Sequence, residues 1–194
     1  LPELSRRFEV KFCCLNILDS QRERIESLGV EVICPDSQWE VKGGIWNEIS
    51  AKQDRSSKKA WEALGGIREA IEWADAIHLT TGAGSMDFTS LVPSSKPLHL
   101  HFLESKSGVF DSVSHLNSDG SGMWRAHVVH ALQLYHRRRI ISSFKGFSKN
   151  EKWIISANSN YSASKLKEEY GITGAVLFPV VDLSEFQRGG SSDD

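Results

Sequence analysis

The chain has 194 residues, a length that fits one domain, and its 40% hydrophobic and 25% charged residues exclude a largely disordered or fibrous protein. Its 23 basic and 25 acidic residues give a formal net charge of -2, which excludes a general attraction to nucleic acid or anionic lipid. No apolar run approaches the roughly 20 residues that cross a bilayer. The three cysteines lack metal-ligand spacing, so we expect reduced thiols and a cytoplasmic protein.

The first part of the chain alternates strand and helix signals. Val10–Leu15 combines alternation with a short apolar run and predicts a strand. A helix is expected from the cap residues at Asp19 to the stop at Gly29, followed by a β-branched strand at Val30–Cys34. The polar run Asp54–Lys59 predicts a solvated turn.

The central part adds a helix and two strands. Apolar residues recur at helical spacing over Trp61–Trp73, although Gly65 and Gly66 weaken the helix there. The strand Ile77–Leu79 leads into a loop of small residues that includes Gly82, Gly84 and Ser85. In the strand Leu98–Phe102, strict alternation predicts that His99 and His101 lie on one face.

The rest of the chain, from residue 104, predicts a loop, two helices and two strands. Residues 104–122 are rich in Ser, Gly and Asp, and a long helix over Met123–Ile141 is expected to end in the basic run at residues 137–139. A strand at Ile154–Ser156 precedes a short helix capped by Ser159 and ended by Gly171. A further strand is expected at residues 175–178.

This alternation predicts an α/β fold with right-handed crossovers and one mainly parallel, doubly wound sheet with helices on both faces. Ligands bind such sheets at the carboxyl ends of the strands. The informative residues are therefore those at or just after Leu79, Phe102 and Ala157, where these strands end.

Three stretches together resemble group 1 glycosyltransferases of the GT-B fold, similar to family 4. They are EVKFCCLN with LGVEVICP, WADAIHLTTGAGS with KPLHLHF, and WIISANSNYSASKLKEEYGITGAVLFPVVDLSEF. The last is the most specific, because in that family a strand ending in Ser and a short helix precede Pro-x-x-Asp-x-x-x-Phe, here Pro179, Asp182 and Phe186.

The resemblance implies a Rossmann-like half of a GT-B fold. Residues 1–180 would form the N-terminal, acceptor-side domain without the family's first strand, and residues 181–194 would form a linker or tail. The family's C-terminal donor domain, which has a Glu-x7-Glu motif, is expected to be absent. Glu23 and Glu31, and Glu40 and Glu48, have that spacing, but they lie in the other half and are expected to be chance matches.

The implied activity is retaining transfer of a glycosyl group from a nucleotide sugar to the hydroxyl of a sugar, lipid or other acceptor. The nucleotide sugar is a co-substrate, and no cofactor is expected. The isolated chain is expected to be inactive, because the cleft would form between two domains. The alternative is a stand-alone, non-catalytic binding module derived from the same fold.

His101 is the candidate catalytic residue, because it ends its strand at a position where many members of the family place a histidine. Its imidazole would contact the donor or orient the acceptor. The alternative is a partly buried structural histidine. His99 and His101 could form a metal pair, but no third ligand accompanies them and the family is typically metal-independent, so no metal is expected.

Six further residues are candidates for substrate binding. Backbone N–H groups in the glycine loop and at a helix N-terminus could bind phosphate or sugar. The residues are Gly82, Gly84, Ser85, Glu104, Ser159 and Asn160. A tight turn would equally explain the loop, and helix capping would explain Ser159 and Asn160. The basic run at 137–139 is either a site of peripheral membrane contact or a solvated helix end.

Overall fold

The computed structural model describes residues 2–40, 52–82, 84–103, 137, 138 and 140–179. The helices are α1 (Pro2–Ser5), α2 (Asp19–Glu26), α3 (Lys52–Ala63), α4 (Ile67–Trp73), α5 (Ser85–Phe88), α6 (residues 140–148) and α7 (Asn160–Tyr170), with a 3-10 turn at Thr89–Leu91. The strands are β1 (Lys11–Cys13), β2 (Glu31–Ile33), β3 (Ile77–Thr80), β4 (Leu98–Phe102), β5 (Trp153–Ala157) and β6 (Ala175–Val176).

All pairings among the described strands are parallel, which confirms the α/β class and the parallel strand direction. The strands form two hydrogen-bonded groups, β1 with β2 and β3-β4-β5-β6 in that order. The expectation of one continuous sheet is therefore wrong for the described residues, because no ladder joins β1 or β2 to the other four strands.

The predicted strands lie close to where the sequence placed them. β4 has the predicted bounds, β3 is one residue longer, and β5 is one residue longer at each end. β1 and β2 are shorter than Val10–Leu15 and Val30–Cys34. β6 covers only the first two residues of the strand expected at 175–178.

Alternation along β3, β4 and β5 separates two faces of the four-stranded sheet. Leu98, Leu100 and Phe102 point to the apolar face and are buried. Helices α6 and α7 pack there, since the ring of Phe102 makes edge contacts with those of Phe144 and Tyr170. The opposite face carries the residues at 78, 80, 99, 101, 154 and 156, and we call it the histidine face.

A second hydrophobic core joins β1, β2, α3, α4 and α5. It includes Leu15, Ile33, Trp61, Ile67 and Phe88, with Ile77 and Leu79 of β3 packed against it. The apolar side of β3 thus contacts both hydrophobic cores. The loop after β3 lies beside α3, because Trp61 Nε1 donates to the Gly84 carbonyl.

The predicted turn at Asp54–Lys59 is wrong, because these residues lie within α3. Ser57 is fully buried and donates a hydrogen bond to the Asp87 carboxylate. A residue of a polar run can be buried when its hydroxyl has a hydrogen-bond partner, and the partner of Ser57 is Asp87, 30 residues away. The weakness predicted at Gly65 and Gly66 is a complete break between α3 and α4, with Gly66 in the left-handed region.

The helix before β5 ends later than predicted. Residues 137, 138 and 140–148 are helical, so the basic run does not lie at a helix C-terminus. The extension is favourable because it buries Phe144 and Phe147 against the apolar face. Helix α2 begins at Asp19, which leaves Leu18 at the cap position.

Several expectations lie outside the described residues. They are the loop at 104–122, the first part of the helix from Met123, the tail at 181–194, and the motif residues Asp182 and Phe186. In the part of the chain that is described, no helix has both the length and the apolar character needed to cross a membrane.

Candidate functional site

The carboxyl ends of β3, β4 and β5 are joined by hydrogen bonds. The Thr81 N–H donates to the His101 carbonyl at 2.9 Å, and the Leu103 N–H donates to Thr81 Oγ1 at 2.9 Å. The Asn158 N–H donates to the Phe102 carbonyl at 3.0 Å. The start of α7 joins this edge, because Ser162 Oγ donates to the Leu103 carbonyl at 2.8 Å.

The candidates on three separate segments therefore share one edge of the sheet. Gly82 follows Thr81, His101 is the penultimate residue of β4, and Ser159 follows Asn158. Parallel strands bring these segments together, as the ligand-binding edge of such sheets requires.

His101 is almost completely buried, with 8% of its surface exposed. Its Nδ1 lies 2.9 Å from the hydroxyl oxygen of Ser156, which is its direct register partner on β5. Ser156 is also buried, at 5% exposure. The hydrogen bond fixes the plane of the imidazole.

His99 uses both of its ring nitrogens. Its Nε2 lies 2.7 Å from Ser156 Oγ, and its Nδ1 lies 2.9 Å from Nδ1 of His78 on β3. This confirms that His99 and His101 share a face. His78 is solvent-exposed, so the four groups form a continuous hydrogen-bonded chain from the surface to His101.

Burial and repulsion between neighbouring rings lower the pKa values of His78 and His99, which favours their neutral forms. Although His78 is exposed, partial burial of its ring is the largest cause of its lowered pKa, and the neighbouring His99 and His101 lower it further. Burial is also the largest cause of the lowered pKa of His99, followed by repulsion from His101. A neutral imidazole has one donor and one acceptor nitrogen, which is what a hydrogen bond between two rings needs.

The glycine loop after β3 is a closed turn. Ser85 Oγ accepts from the Gly82 N–H and donates to the Gly82 carbonyl, both at 2.9 Å. The Gly84 carbonyl accepts from Trp61 Nε1 at 3.0 Å. The N–H of Gly82 is thus already bonded within the protein, and Ser85 is buried.

Gly84 is required where the loop meets α3. It has a φ of +76°, and a Cβ at this position would lie 2.7 Å from Cβ of Ser57. Any side chain would separate the loop from α3.

Ser159 caps α7 as predicted. Its Oγ accepts from the Ser162 N–H at 3.1 Å, and Gly171 ends the helix in the left-handed region. Asn160 is the first residue of α7 and is exposed. Of this pair, Asn160 is the one whose side chain faces solvent.

The remaining candidates contribute less to this edge. Glu104 lies outside the described residues. Within the described ranges, no group of three or more His, Cys, Asp or Glu residues converges on a point that could hold a metal ion. Arg138 is exposed on the helix before β5.

Sequence reasoning missed His78 and Ser156. Both lie on strands that were predicted, and both follow the period of two that places His99 and His101 on one face. The alternation was readable within each strand, but the register between strands was not.

No protein-family model, curated protein or solved structure matches this chain. Its function must therefore be inferred from its own residues and their geometry.

Proposed function

We propose that this chain is the acceptor-side domain of a retaining glycosyltransferase, one Rossmann-like, doubly wound half of a GT-B fold. The reaction transfers a glycosyl group from a nucleotide sugar to the hydroxyl of a sugar, lipid or other acceptor. The observation that carries the proposal is the convergence of Gly82, His101 and Ser159 at the carboxyl edge of a parallel sheet.

Each part of this edge suits one requirement of sugar transfer. The acceptor hydroxyl must be held in line with the bond that breaks, and water must be excluded. A rigid histidine can position a hydroxyl or the donor through one hydrogen bond. The first turn of α7 offers backbone N–H groups and a positive dipole end to oxygen atoms of a substrate.

His101 would act through its Nε2 atom, because Ser156 engages Nδ1. The 8% exposed fraction leaves little of His101 accessible to a substrate, which favours a single directed hydrogen bond over stacking. We assign His101 as the catalytic residue, and Asn160 and Glu104 as substrate contacts. Ser159 would position the start of α7, and Gly82, Gly84 and Ser85 would shape the loop.

The second candidate is a non-catalytic binding module of the same fold. The hydrogen bonds between Gly82 and Ser85 and the burial of His101 favour it, because groups that are already bonded within the protein are less available to a reacting substrate.

The test is transfer by the protein at its full natural length. It would be incubated with UDP-, GDP- and ADP-hexoses and a mixture of sugar and lipid acceptors, and products would be identified by mass spectrometry and by the anomeric configuration of the new bond. The 194-residue chain assayed alone is expected to be inactive. Turnover by that chain would contradict the half-domain assignment, whereas ligand binding without transfer by the full-length protein would favour the binding module.

A further inference from the structure

Four side chains on the histidine face form one unbroken chain of hydrogen bonds. The contacts are His78 Nδ1 to His99 Nδ1 at 2.9 Å, His99 Nε2 to Ser156 Oγ at 2.7 Å, and Ser156 Oγ to His101 Nδ1 at 2.9 Å. The chain crosses three adjacent strands. Its first member is exposed, its second is partly buried, and its last two are buried.

The chemistry of the groups allows this chain only two directions when all three rings are neutral. A neutral imidazole donates from one nitrogen and accepts at the other, and a hydroxyl donates once. If His78 donates to His99, then His99 donates to Ser156, Ser156 donates to His101, and the ring proton of His101 is on Nε2. If every bond is reversed, His101 donates from Nδ1 and its Nε2 has a free lone pair.

We propose that His78, His99 and Ser156 form a proton relay that links His101 to solvent and sets its tautomer. One proton binds Nε2 of His78 from water, and the Nδ1 proton of His78 moves to Nδ1 of His99. The Nε2 proton of His99 moves to Ser156 Oγ, whose own proton moves to Nδ1 of His101. His101 then releases its Nε2 proton, so one proton enters and one leaves.

The relay makes Nε2 of His101 an acid in one direction and a base in the other. Under the proposed function His101 is the catalytic residue, so His78, His99 and Ser156 are positioning residues that act through it. The relay would give His101 a path for proton exchange with bulk water, because a ring that is 8% exposed exchanges protons poorly on its own and His78 is exposed. The lowered pKa values of His78 and His99 support it, since neutral rings can both accept and donate.

The relay is a property of this sheet and does not depend on glycosyl transfer. Its test therefore uses nuclear magnetic resonance of the histidine rings and no substrate. Long-range proton–nitrogen spectra of chain labelled with ¹⁵N-histidine would report the tautomer and charge of each ring between about pH 5 and pH 8, the range in which histidines titrate. Exchange spectroscopy would give the rate at which the ring proton of His101 exchanges with water.

Two variants break the chain at different points. Ser156→Ala removes the hydroxyl, and His99→Phe keeps a ring but removes both nitrogens. Either change is expected to slow exchange of the His101 ring proton by roughly tenfold, the factor that corresponds to one hydrogen bond. Ser156→Thr keeps a hydroxyl at this position and should keep exchange near the wild-type rate. Ile154→Val, on the same face at a site 62% exposed, is the matched control.

The wild-type titration gives a second readout that needs no variant. The relay predicts that the nitrogen signals of His99 and His101 change together with those of His78. Independent titration of the three rings would overturn the proposal, as would unchanged exchange of His101 in both Ser156→Ala and His99→Phe. If both variants fail to fold, the wild-type titration alone decides.

Discussion

His101 of β4 and Ser156 of β5 are direct register partners, and their side chains meet at 2.9 Å on the histidine face. The same hydroxyl lies 2.7 Å from His99, which is two residues earlier on β4. One buried serine therefore orients two histidines. If the hydroxyl were removed, nitrogens of both rings would lose their hydrogen-bond partner. Ser156 should therefore matter for stability as well as for chemistry.

Ser156→Ala is expected to lower the free energy of unfolding by about 1–3 kcal/mol, the cost of leaving buried polar groups without a partner. Urea unfolding followed by circular dichroism would measure it. Ser164→Ala, at an exposed position of α7, is the control and should change stability by less than about 0.5 kcal/mol. Equal effects of the two substitutions would contradict the assigned role of Ser156.

Stability should fall as the solution is acidified through the range where histidine titrates. The folded-state pKa values of His78 and His99 lie below the ordinary value of 6.5, so the unfolded chain takes up protons first. The contribution of the two neutral rings is complete above about pH 6.5 and is lost below it as pH approaches the folded-state pKa values.

The comparison that isolates this effect is urea unfolding of wild type and of a His78→Gln/His99→Gln variant at about pH 8 and about pH 5.5, on either side of the ordinary histidine pKa. The loss of stability between the two pH values should be smaller in the variant, which lacks both titrating rings. An equal or larger loss of stability in the variant would contradict the lowered pKa values of His78 and His99 in the folded protein.

The sequence predicted the fold class and much of the strand placement. The alternation in Leu98–Phe102 was sufficient to place His99 and His101 on one face, and Ser159 and Gly171 marked both ends of α7. These features are local, because a period of two and a cap depend on residues only a few positions apart.

Long-range features could not be read in the same way. His101 and Ser156 are 55 residues apart, and only the register of β4 with β5 makes them partners. The first part of helix α3 was missed because its run of polar residues resembles a turn, and the contacts that hold it come from distant residues: Asp87 accepts from Ser57, and the Gly84 carbonyl accepts from Trp61. The division into two groups of strands likewise depends on which edges pair, which no local pattern encodes.

Gly84→Ala should be more destabilising than the same substitution at Gly29 or Gly171, the described left-handed glycines where a Cβ would have no other atom within 4 Å. The new Cβ would meet Ser57 at 2.7 Å and the φ of +76° would be strained, which together should cost about 2–4 kcal/mol. Gly29→Ala is a matched control, because Gly29 has the same φ and a Cβ added there would have no other atom within 4 Å. Thermal unfolding of both variants would separate steric contact from backbone strain, and equal losses would contradict the close packing of the loop on α3.

Cys13 and Cys14 should react slowly with thiol reagents in the folded protein. Burial is the main cause that raises the pKa of each to about 11, so little thiolate is present at about pH 8. In a Cys34→Ser variant, labelling by iodoacetamide should be slower in buffer than in urea by roughly tenfold or more, because unfolding returns each thiol to its ordinary pKa. Equally fast labelling in buffer and urea would contradict the burial of these two thiols.

The central claim is that His101 takes part in glycosyl transfer, and kcat of a His101→Ala variant of the full-length protein tests it most directly. With the donor identified, kcat should fall by roughly 10²-fold or more, the loss typical of one preorganised polar contact, while KM for the donor changes much less. Ile154→Val, on the same face, should keep wild-type kcat. A near-normal kcat in His101→Ala, together with a loss of thermal stability, would contradict the account and leave His101 a structural residue.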